Sequence, residues 1–126
     1  MAHLPGTAEE IRARVPAVLD AYLFTRENVL RGGAVETELK RLCFSYLAAD
    51  PDVSDFSRFE GRERAALEWA HAIAWDSDQA DEELWARLHR LFSDAELVEL
   101  GCAIGFALGQ QHWERTIGLP AQAGIS

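Results

Sequence analysis

Apolar residues recur at three- and four-residue intervals in five stretches of the chain, and alternating strand-like runs are almost absent. That periodicity predicts an all-α fold of about five helices. The first stretch runs from about Ala8 to Arg31, with Ile11, Val15, Leu19, Tyr22 and Leu23 as its apolar stripe. Thr7-Ala-Glu-Glu10 has the form of a capping box at its start, and Gly32-Gly33 closes it. Pro16 lies inside the stretch, so a kink or a restart near Val15 is expected. The second helix is predicted over about Glu36 to Ala49, with Leu39, Leu42, Cys43, Tyr46 and Leu47 on one face. The connector "DPDVSDFSRFEG" follows, with Phe56 and Phe59 as anchors.

The third helix is expected from about Arg62 to Trp75, on a narrow face of Ala66, Ala70, Ile73 and Ala74. The acidic link "DSDQAD" can cap the fourth, Glu82 to Phe92, which should bury Leu84, Leu88, Leu91 and Phe92. Ser93-Asp-Ala-Glu96 is a second capping box and opens the fifth helix, about Asp94 to Ile117. That last helix is apolar along two lines. Leu97, Ile104 and Leu108 form one; Cys102, Phe106, Trp113 and Ile117 form the other. A helix apolar on two sides needs two surfaces to pack against, and a second subunit is the natural one. Gly101, Gly105 and Gly109, four apart, would let a neighbouring helix approach closely. Each costs roughly 1 kcal/mol of helix propensity relative to Ala, which packing has to offset.

Composition narrows the partners. The chain has 126 residues, 48% hydrophobic and 26% charged, which fits one globular domain over residues 1–126. Its formal net charge is -9, from 21 acidic and 12 basic side chains, so nucleic acid and anionic membrane surfaces are disfavoured partners. No run reaches the length of a membrane span, and "MAHLPGTAEE" lacks the basic and apolar regions of a signal peptide. Two cysteines without partner spacing read as reduced thiols, and the expected localisation is cytoplasmic. Four histidines and two cysteines show no ligand spacing, so neither a metal nor another cofactor is expected.

Three segments resemble the carboxymuconolactone decarboxylase / AhpD-like family. "FEGRERAALEWAHAI" is similar to the family's Phe-Ser/Thr-x-Arg-Glu-Arg-Ala-Ala-Leu-x-Trp-Ala helix. "DEELWARLHRLFSDAELVELGCAIGFALGQQHWERTIGLP" resembles its closing helical hairpin, and "LRGGAVETELKRL" resembles the lead-in to its active-site helix. The likeness covers about residues 30 to 120. It implies an AhpD-like helical subunit that assembles with itself, as a trimer or as a hexamer of trimers. Redox members of the family carry Cys-x-x-Cys and a nearby His after that lead-in, with a Glu upstream that relays protons. Counted forward, the cysteine pair would fall near Val53 and Phe56 and the relay Glu near Arg41. No cysteine lies between Cys43 and Cys102, and no histidine between His3 and His71. Thiol–disulfide exchange needs a thiolate and a second sulfur close by, so thiol-dependent alkylhydroperoxidase activity ranks last.

Candidate chemistry then lies with other residues. Cys43 shares its face with Leu39, Leu42 and Tyr46 and reads as a small core residue, and Cys102 reads the same way. Lys40 and Arg41, beside Cys43, are expected to point elsewhere on the helix. His112 and Arg115 continue the Leu97-Ile104-Leu108 face into the last turns, as a proton-transfer group and a carboxylate clamp. Family members often have Asn-Arg where Gln111-His112 stands. The plain alternative is two basic groups favoured by the C-terminal end of a helix dipole. His71, on the edge of the third helix, reads as a half-buried structural histidine or a second titrating group. Glu63 reads as a first-turn cap, or as a general acid if buried without one. These residues give two functional readings. One is a cofactor-free acid–base enzyme for a small carboxylate or lactone, using His112, His71 and Glu63 with Arg115 as the clamp. The other is a non-catalytic small-molecule-binding or oligomeric module of the same fold.

Overall fold

The computed structural model describes residues 3–49 and 55–120. Six α-helices account for most of them: α1 (Ala8–Arg12), α2 (Pro16–Thr25), α3 (Thr37–Ala48), α4 (Gly61–Trp75), α5 (Glu82–Leu91) and α6 (Asp94–Thr116). A π-helical turn, Arg26–Leu30, extends α2, and a 3₁₀ turn, Ser77–Gln79, links α4 to α5. No strand occurs among the described residues. The all-α expectation holds, with one more helix than the periodicity predicts. The extra one comes from Pro16, which takes the first position of a new helix after Val15 turns extended.

Local signals set most boundaries. Thr7 and Ser93 both head complete capping boxes, each accepting from the backbone of a Glu three residues on, whose carboxylate reaches back. Asp81 caps α5 through the Leu84 N–H at 2.9 Å. At the other end of α6, Gly118 has φ 91°. Leu119 N–H reaches Glu114 O at 2.9 Å and Gly118 N–H reaches Arg115 O at 3.1 Å, closing the helix with a Schellman motif.

The core forms where α4 packs against α3, α5 and α6, and where α3 meets α6. Leu39, Cys43, Leu47, Ala66, Leu88 and Ile104 are all buried in it. Small residues on α4 let the helices close: Ala65, Ala66 and Ala70 are fully buried. Gly101 serves this core and faces inward. A Cβ there would lie 2.8 Å from Cη2 of Trp69, so the indole takes the space a side chain would need. Gly105 and Gly109 differ, since a Cβ at either would meet nothing within 4 Å.

The apolar helix α2 (Pro-Ala-Val-Leu-Asp-Ala-Tyr-Leu-Phe-Thr) has no buried residue. Val18 and Phe24 are 49% and 67% exposed, beside Val15 at 54%. On α6, Val98 is 68% exposed, and Cys102, Gly105, Gly109 and His112 follow it on the same outer face. The second apolar line expected on the last helix is thus only partly used: Phe106 and Trp113 are half-buried and Cys102 is exposed. No helix among the described residues is long and apolar enough to cross a membrane.

Candidate functional site

Two strongly buried ion pairs lie inside the bundle. Lys40 is wholly buried, contrary to the expectation that it points away from the Cys43 face. Its ammonium is held by Val29 O at 2.6 Å, Gly32 O at 2.7 Å and Glu99 Oε2 at 2.8 Å. Three acceptors use all three of its N–H donors. Glu99 in turn accepts from Ala34 N–H at 2.9 Å and Val35 N–H at 2.7 Å. Burial alone would raise its pKa, but the bonds from Lys40, Val35 and Ala34 outweigh that and hold it below the usual carboxylate range. This cluster ties the glycine loop after the π turn to α3 and α6.

The second pair is Arg12 with Glu114, 2.9 Å apart and each about 2% exposed at the side chain. Gln110 Oε1 accepts twice from the same guanidinium, at 2.7 and 3.2 Å. The Tyr22 ring lies 3.9 Å from the Arg12 carbon and the Trp113 ring 4.9 Å. Outside these, Arg62 joins the ends of three helices. It binds Glu36, Glu96 at 3.1 Å and Leu91 O at 2.5 Å, over the Phe92 ring.

Cys43 is fully buried, and burial pushes its thiol up to about 12. A thiol so high holds almost no thiolate at neutral pH, and the thiolate is the nucleophile. Cys102 lies exposed on α6, far along the chain and on a different helix. The expected cysteine-pair position near Val53 lies outside the described residues. Phe56, at the other, is buried, and its ring meets Tyr46 edge-on at 5.2 Å and His71 at 6.2 Å.

The titrating candidates are scattered. His112 is exposed and makes no hydrogen bond or ion pair with a described residue. Arg115 is also exposed, and its guanidinium donates to Ala48 O at 2.5 Å, the last carbonyl of α3. Glu63 is exposed rather than on the buried face, and it makes no cap bond: the N-cap is Glu60, without a side-chain cap. Because α4 begins at Gly61, Glu63 stands in its first turn, on the rim of an open cleft against Leu39 and Leu42 of α3.

His71 alone combines partial burial, a polar partner and a cavity. Its Nδ1 lies 2.5 Å from the Tyr46 hydroxyl, which joins α4 to α3. Burial pushes the Tyr46 phenol up, against a smaller opposing contribution from Trp75. Beside His71 is a cavity of about 210 Å3 between α4, the 3₁₀ turn and α5. Glu68, Gln79, Asp81 and Arg87 bring charge and amide groups to its walls, and Phe56 and Leu84 bring the apolar ones. Arg87 donates to Glu68 at 2.6 Å, and its buried Nε has no hydrogen-bond partner among the described residues. No group of three His, Cys, Asp or Glu side chains among the described residues could hold a metal ion.

Sequence reasoning missed Lys40, Glu99, Arg12 and Glu114. Lys40 did carry a signal, since Lys40, Cys43, Phe44 and Leu47 are spaced as one helical stripe. Arg12 gave none, because its partner lies on the last helix. Arg87 gave no signal either, because its partner Glu68 lies on α4. No family model, curated protein or solved structure matches the chain.

Proposed function

We propose that the chain is a divergent carboxymuconolactone decarboxylase-like (AhpD-like) subunit that works as a homo-oligomeric module without thiol peroxidase chemistry. One observation carries the reading: α2 is an apolar helix with no buried residue, and Phe24 is 67% exposed on it. Contiguous exposed apolar surface marks an interaction site. The outer face of α6 offers a complement, because Gly105 and Gly109 leave room for large side chains from a neighbour. A contact between two different faces gives a ring when its rotation closes, and a trimer is the ring that the family resemblance implies. The buried thiol of Cys43 supports setting peroxidase activity aside.

Light scattering at micromolar concentration tests the assembly, with a mass near three subunits expected. A clean single-subunit mass would overturn it. Phe24→Asp should give a folded single chain whose stability changes by no more than about 0.5 kcal/mol, as for surface substitutions generally.

A second reading, a cofactor-free acid–base enzyme for a small carboxylate or lactone, is favoured by the His71–Tyr46 bond beside a cavity. Within it His71 is the proton-transfer group and His112, Arg115 and Glu63 are not needed. Carbon dioxide release from small lactone carboxylates checks this, and a rate unmoved by His71→Asn would remove it.

A further inference from the structure

We propose that the groove between α1, the start of α2 and the last turns of α6 binds a small organic acid, a carboxylate carried on an apolar body. The groove measures about 490 Å3, within the roughly 300–1,000 Å3 of ordinary small-molecule sites. It shares no lining residue with the His71 cavity, and Phe24, which carries the oligomer reading, does not line it. The inference therefore goes beyond both functional readings.

The body of the ligand follows from the walls. Leu4, Ile11, Val15, Val18 and Trp113 surround the groove, and Val15 and Val18 are 54% and 49% exposed. An apolar molecule lying between them would take that surface out of water.

The head follows from the floor, where the open polar atoms are all donors. Arg12 lines the groove although its side chain is only 2% exposed. Its Nε and Nη2 are used by Gln110 and Glu114, and its Nη1 has no acceptor among the described residues. Glu114 Oε1 is sealed from solvent without a partner, but Arg12 Nη1 is not sealed, so it can meet a molecule in the groove. Gln110 and Trp113 each keep a side-chain N–H without an acceptor among the described residues. No side-chain acceptor competes, since Gln110 Oε1 already accepts twice from Arg12 and Glu114 does not line the groove.

Charge then selects among acceptors. Glu114 neutralises Arg12, so the deciding cation is Arg14, also in the lining. Arg14 donates to Pro5 O and makes no ion pair among the described residues; the Glu10 carboxylate bonds the Thr7 N–H at 3.1 Å instead. With two arginines and no acid in the lining, a carboxylate is favoured over a neutral oxygen. An amine would meet only donors and cations, and a purely apolar molecule would leave Arg12 Nη1 unmet.

Calorimetric titration of the full chain with octanoate and phenylacetate tests the site. Octylammonium and octanol are the controls for the head, and acetate is the control for the body. At least one of the two acids should bind saturably, with every control about tenfold weaker or worse. Val18→Asp places a like charge on an exposed wall, so it should keep the fold and weaken the acid by about tenfold or more. Arg12→Gln alone would strand the buried Glu114, so it is combined with Glu114→Gln, and the pair should also weaken binding about tenfold. No saturable heat from either acid would overturn the proposal, as would equal binding of octanol or binding that Val18→Asp leaves unchanged. The rival occupant is a second copy of the chain. A lower scattered mass for Val18→Asp, with no acid bound by wild type, would assign the groove to that contact and overturn the proposal as well.

Discussion

Lys40 and Arg87 are both cations paired with a glutamate, yet their surroundings are opposite. Lys40 is sealed from water and every one of its donors has an acceptor, from Val29, Gly32 and Glu99. Arg87 stands at a cavity wall, with one strong bond to Glu68 and a buried Nε that lacks one. The lesson is that burial of charge does not by itself mark a site. A saturated, sealed pair holds the fold together, whereas a pair at an open wall shares its charge among several carboxylates, as Arg87 does with Glu68 and Glu83. The same contrast separates Cys43, buried among apolar neighbours, from His71, half-buried with one nitrogen still available.

The contrast can be broken from its structural end first. Glu99→Ala should destabilise the fold by about 3–5 kcal/mol in denaturant titration, because it leaves the Lys40 ammonium buried without its counter-charge. A loss under 1 kcal/mol, the scale of an exposed pair, would place Lys40 among ordinary surface cations. Acid should act on the same pair. The pKa of Glu99 is lowered on folding, so its contribution is full above the unfolded-state value and is lost as pH falls through the folded one. Thermal melts of wild type should therefore fall steeply below the ordinary carboxylate range, and Glu99→Gln should flatten that fall. At the other end, Tyr46→Phe removes one half-buried hydrogen bond and should cost only about 0.5–1.5 kcal/mol. A cost like that of Glu99→Ala would make the His71 region as structural as the Lys40 one. Cys43→Ser should leave hydroperoxide consumption unchanged at background, since the buried thiol supplies no nucleophile.

Much of the fold was legible in the sequence because its signals are local. Two capping boxes, the Asp81 cap and the Pro16 restart all act within four residues, and each formed. The π turn was not legible, since Arg26–Leu30 looks like any helical continuation. The glycines of α6 divided for a tertiary reason: Trp69, on another helix, claims the space at Gly101 only. The candidate site was half legible. His71 could be placed at the edge of its helix, but its Tyr46 partner and its cavity depend on how three elements meet. His112 and Arg115 continued an apolar stripe in the sequence, but the helix carries them past the core into exposed positions.

Gly33 sits at φ 106°, and a Cβ built on it would fall 2.0 Å from the Glu99 Oε1 atom. That backbone conformation strains any side chain at 33 whatever the space, so the glycine is fixed twice, by its φ and by the carboxylate packed against it. Shortening Glu99 would not free position 33, and it would strand the buried Lys40 unless that residue also became neutral. A library randomised at 33, 40 and 99 together should return folded chains that keep glycine at 33 and change 40 and 99 only as a pair. The buried ammonium and its carboxylate must be exchanged in one step.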